Sequence, residues 1–73
     1  MERRVDEDTI KFYDLVERIE NLCRERGELS LAEVERLAVE KEIRPSAILE
    51  ELSLTEDIDV NLAAGKITCR YIA

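Results

Sequence analysis

The sequence predicts an α+β domain in which three helices are followed by a C-terminal two-stranded β-hairpin. Three observations predict it. Apolar residues recur at helical spacing through residues 8–26. Residues 30–54, SLAEVERLAVEKEIRPSAILEELSL, hold two short helices across a tight turn, the second opening on Pro45. Residues 58–72 then switch to two-residue alternation on either side of Ala63-Ala64-Gly65-Lys66.

Residues 1–7 are polar and read as a frayed tail, leaving 8–73 as the single domain that 73 residues can support. Helix 1 is expected over 8–26. Asp6, Glu7 and Asp8 suit the positive end of its dipole, while Arg3 and Arg4 would oppose it. Phe12, Leu15, Val16, Ile19, Leu22 and Cys23 form one stripe, and Gly27 after Arg24 and Arg26 is a natural stop. Ile10 and Tyr13 fall outside that stripe, either packed under a neighbouring segment or belonging to a partner surface.

Glu28-Leu29 is a bridging segment or a minimal strand. Helix 2 is expected over 31–41. Ser30-x-x-Glu33 has the form of a capping box, with Leu29 and Val34 as its hydrophobic staple. Leu31, Val34, Leu37 and Ala38 are its buried face, and Ile43 plugs the following turn. Pro45 presets the backbone for helix 3, expected over 45–53, with Ile48, Leu49 and Leu52 inward. That leaves Ser46, Glu50, Glu51 and Ser53 outward. The hairpin is expected over 58–62 and 67–72. Its expected register sets Leu62 opposite Ile67, Val60 opposite Cys69, Ile58 opposite Tyr71 and Asp59 opposite Arg70.

The composition narrows the function. Hydrophobic residues make up 45% of the chain, enough to offset chain entropy, and charged residues 40% against a typical ~25%. Such dense mixed charge is compatible with a thermophile surface. Eighteen acidic groups face eleven basic ones, for a net charge of −7 without any His. The acid concentrates in residues 28–57, which carry nine acidic and three basic groups. A protein that neutralises phosphates should be basic there. No apolar run approaches the ~20 residues of a membrane span, and no apolar stretch follows Arg3 and Arg4 as a signal peptide requires, so a cytoplasmic location is expected.

For catalysis the chain offers no His, no Gly-rich phosphate loop and no metal-spaced Cys cluster. Asp57, Asp59 and Glu56 lack further oxygen ligands at a recognised metal spacing, so no metal and no cofactor are expected. Cys23 and Cys69 read as two buried small hydrophobes. A disulfide between them would be unusual in a mesophile cytosol but not in a hyperthermophile.

The order helix, short bridge, helix, turn, helix, hairpin resembles the winged-helix family. Leu29 to Val34, Leu37-Ala38, Ile43, Pro45 to Leu49, Glu51-Leu52 and Ile58 to Ile72 carry the resemblance. It covers nearly the whole chain and implies a small single-domain member, with an archaeal source suggested. In the family the third helix typically enters the DNA major groove and the wing contacts the flanking backbone, while many members bind proteins instead. Two features depart from the DNA-binding pattern. Glu42 stands where a turn Gly is common, and helix 3 carries no Lys or Arg after Pro45.

The expected function is therefore a non-catalytic protein-interaction module. It would be an accessory or adaptor subunit of a replication, transcription or repair assembly, a setting implied by the resemblance. Glu42, Glu50, Glu51, Glu56 and Asp57 would meet a basic partner, with Ile10, Tyr13, Leu54 and Ile72 as apolar anchors. The alternative is a small transcriptional regulator, dimeric through helix 1, that contacts DNA with Arg36, Lys41, Arg44, Ser46, Lys66 and Arg70.

Overall fold

The computed structural model describes residues 7–70. Arg3, Arg4, Asp6, Tyr71 and Ile72 fall outside that range. The chain runs α1 (Glu7–Arg26), β1 (Glu28–Ser30), α2 (Leu31–Glu40), α3 (Pro45–Ser53), β2 (Ile58–Asn61) and β3 (Lys66–Cys69). All three helices lie within one residue of the expected bounds.

The sheet departs from expectation. It has three antiparallel strands in the order β1-β3-β2, not two, and its first strand lies between α1 and α2 in sequence. Glu28–Ser30 pairs with β3 through Glu28↔Thr68, Leu29↔Ile67 and Ser30↔Lys66. Leu29 is buried between two exposed neighbours, the pattern of a half-buried strand, and pairing satisfies the second edge of β3.

The hairpin register also differs, by two positions. Ile58 pairs with Cys69, Val60 with Ile67 and Asn61 with Lys66; Asp59 opposes Thr68 rather than Arg70. A two-position shift keeps every side chain on its face, so the apolar sets still meet. The cost falls on Leu62, which enters the turn and is 69% exposed. Turn chemistry explains the choice. Asn61 Oδ1 accepts the Ala64 N–H at 3.0 Å, Leu62 O accepts the Gly65 N–H at 3.2 Å, and Gly65 takes φ 71°. The expected register would instead have left Lys66 as the last loop residue.

Helix boundaries follow local signals. Gly27 ends α1 at φ 85°, donating its N–H to Cys23 O at 2.7 Å. Ser30 Oγ caps α2 by accepting the Glu33 N–H at 3.2 Å. The carboxylate half of the expected capping box is turned elsewhere, with both Glu33 oxygens 3.2 Å from Arg26 Nη1. A charge-assisted contact is stronger than a bond to a neutral amide. The α2 start is further tied down by the Leu31 N–H, which donates to Gly65 O at 3.0 Å.

The end of α2 is a Schellman motif. Ile43 N–H donates to Ala38 O at 2.8 Å and Glu42 N–H to Val39 O at 2.9 Å, with Glu42 at φ 58°. Leu15, Val16, Ile19 and Cys23 of α1 meet Leu29, Val34, Ala38, Ile48, Leu52, Ile58 and Ile67 in one core. The α1 and α3 helices pack together, and α1 covers β1 and β3.

Candidate interaction surface

Helix α3 is held by its inner face. Ile48 and Leu52 are fully buried, which sets Ser46, Glu50 and Ser53 outward. Its N-terminus is started by Pro45 after Arg44, which makes no side-chain cap. At the other end Ser53 Oγ donates to Glu50 O at 2.7 Å, relieving one unpaired carbonyl.

Between α3 and β2 runs a groove of about 420 Å³, lined by Ser46, Leu49, Glu50, Ser53, Val60 and Leu62. Leu49 and Val60 are half-buried, while Leu62 stands at the rim. Leu54, just past α3, is 78% exposed. The alternation through residues 58–62 sets Val60 and Leu62 on one face; Val60 packs against the core as that implies, and Leu62 does not. Asn61, as a turn-initiating residue, is the signal that would have placed Leu62 outside.

The acidic residues singled out in the sequence occupy several separate places. Glu50 is at the groove. Glu51 turns the other way, into a recess with Tyr13, Asp14, Val16, Glu17 and Glu20 of α1. Adjacent helix positions diverge by about 100°, so the two share an element but no surface. Glu42 lies in the α2–α3 turn beside Asp8, Lys11, Phe12, Lys41 and Ile43. Asp57 is engaged by Arg24 at 3.5 Å, and Glu56 O accepts from the Arg70 guanidinium at 3.4 Å. Ile10 and Tyr13 are 48% and 53% exposed, and the Tyr13 ring meets Phe12 edge-on at 5.1 Å.

The basic candidates are dispersed as well. Lys66 Nζ is 2.9 Å from Glu28 Oε1, and the Arg70 N–H donates to Asp57 O at 2.6 Å. Arg36, Lys41 and Arg44 are exposed and, among the described residues, are in no ion pair; Ser46 sits in the groove.

Among the described residues no three His, Cys, Asp or Glu side chains are grouped to hold a metal ion. No described helix is long and apolar enough to cross a membrane. No protein-family model matches the chain, and neither the curated proteins nor the solved structures offer a match.

Proposed function

We propose that this chain is a winged-helix interaction module without catalytic activity, an accessory subunit that docks a basic protein surface on its α3 side. The element order supports the winged-helix reading: a helix, a short strand, two helices, then a hairpin whose last strand lies mid-sheet. In that reading α3 is the presented helix and Leu62–Gly65 is the tip of the wing.

The outer face of α3 carries the functional reading. It offers Ser46, Glu50 and Ser53, without a base anywhere from Pro45 to Ser53, beside a groove walled by Leu49, Val60 and Leu62. Such a face repels phosphate and holds apolar area worth burying against protein. Its acids supply register and association rate, and Leu62 supplies contact energy. The setting, a replication, transcription or repair assembly, follows from the family reading.

One observation favours the alternative, a DNA-binding regulator. Lys41 and Arg44 flank the α2–α3 turn as exposed cations, with Arg36 on α2. Fluorescence polarisation with mixed-sequence duplex at low salt separates the two readings. No saturable binding is expected; tight binding abolished by Lys41→Glu/Arg44→Glu would overturn the proposal. Affinity capture with the wild type and with Glu50→Lys/Leu62→Ser supplies the positive arm. A basic protein held by the wild type, lost by the variant and rebound from purified components supports it. Retention of every captured protein by the variant would reduce this face to a solvated surface.

A further inference from the structure

Cys23 and Cys69 lie on either side of the α1–β3 contact. Cys23, in the last turns of α1, is completely buried, and its Sγ approaches Ile67 O at 3.8 Å. Ile67 and Cys69 are two apart on β3, so their side chains leave the same sheet face, and both pack on the core that α1 covers. Gly27 ties the two backbones together. Its N–H donates to Cys23 O at 2.7 Å, and its O accepts the Cys69 N–H at 3.1 Å. Burial pushes the Cys23 thiol up from 9.0, and the neighbouring Cys69 raises it further, as does Glu28, against a lowering by Arg24. Together these observations set the two residues on facing elements joined through one glycine, and both are thiols in this structure.

We infer that Cys23 and Cys69 form an intramolecular disulfide pinning the end of α1 to β3, made by exchange with a low-molecular-weight disulfide. Cys69 is the entry point because it is half-buried, whereas Cys23 is sealed from solvent. The Cys69 thiolate attacks one sulfur of the small disulfide, forming a mixed disulfide and expelling one small thiolate. Cys23, giving up its proton, attacks Cys69 Sγ, forming the internal bond and expelling the second small thiolate. The two protons released by the protein end on the two small thiols. The protein dithiol is oxidised by two electrons and the small disulfide is reduced by the same two. The bond would close a loop between residues 46 positions apart, long enough to restrict the unfolded chain strongly.

Excess oxidised glutathione applied to the native chain, followed by alkylation and intact-mass measurement, tests this directly. The expected product is a monomer lighter by two hydrogen atoms that takes up no alkylating agent and melts roughly 10 °C higher. Two alkylated thiols, a persistent glutathione adduct or a cross-linked dimer in the wild type would each overturn it. Cys23→Ala, checked for folding by circular dichroism, should instead stop at a stable glutathione adduct on Cys69. An unmodified Cys69 in that folded variant would show that Cys69 is not the entry point and would overturn the exchange route.

Discussion

Lys66 Nζ lies 2.9 Å from Glu28 Oε1, so the cation that follows the β2–β3 turn is answered by a carboxylate on β1. Ser30, not Glu28, is the backbone partner of Lys66, and the pair is therefore a diagonal across the strands. Both side chains are largely solvated, so the pair stabilises the fold by at most about 1 kcal/mol. Glu28→Gln is expected to lower the melting point by only a few degrees at low salt, with the difference from wild type fading near about 1 M salt. A loss that persists at high salt would mean that Glu28 acts through packing and not through charge.

Glu42 pays a conformational penalty at φ 58°, where the Schellman motif calls for a residue without Cβ. The left-handed conformation costs an ordinary residue about 1–2 kcal/mol, while Gly loses about 0.5–1 kcal/mol more chain entropy on folding. The first term is larger. Glu42→Gly should therefore stabilise the protein by about 0.5–1 kcal/mol, raising the melting temperature by a few degrees. Glu42→Val should lower it, since β-branching worsens the same conformation. A destabilised Gly variant would show that the Glu42 side chain contributes a contact that outweighs the backbone term.

Asn61 and Gly65 hold the hairpin register between them. Asn61→Ala removes the acceptor for the Ala64 N–H and should cost about 1 kcal/mol in a denaturant melt. Gly65→Ala meets no atom within 4 Å, so its cost, about 1–2 kcal/mol, comes from φ alone. Combining them weakens both registration devices, and the two-position slip that buries Leu62 becomes the competing state. Nuclear Overhauser contacts between Val60 and Cys69 in the double variant, replacing those between Val60 and Ile67, would report that slip.

The hairpin also marks where sequence patterning stopped being informative. The stripe of α1, the Ser30 cap and Pro45 are signals contained within single elements, and the helices they define stand where expected. β1 has no such signal. Its single inward residue, Leu29, has no period, and the strand exists because β3 has an edge to offer. Alternation is preserved under a shift of two, so it does not fix the register, and Asn61 and Gly65 decide it. The surface was less legible still. Arg24 and Asp57 are 33 positions apart, and only tertiary packing brings them to 3.5 Å. Glu50 and Glu51 are neighbours on α3, yet one faces a recess shared with β2 and the other a recess shared with α1.

Cys23 makes the fold sensitive to alkaline pH. Burial disfavours its thiolate more than any other influence, so its folded pKa stands above the model-compound value of 9.0. Between the unfolded and folded values the native state holds a proton that the unfolded chain has released. Stability therefore decreases as pH rises through that window and does not respond to this group below it. Cys23→Ala keeps an apolar group at the site and removes the titration. The melting temperature of the wild type minus that of Cys23→Ala should be constant at neutral pH and shrink above about 9. Taking the difference cancels the alkaline response that the two proteins share. A difference that stays level through alkaline pH would mean that water reaches the Cys23 thiolate in the native state, despite the cover provided by α1 and β3.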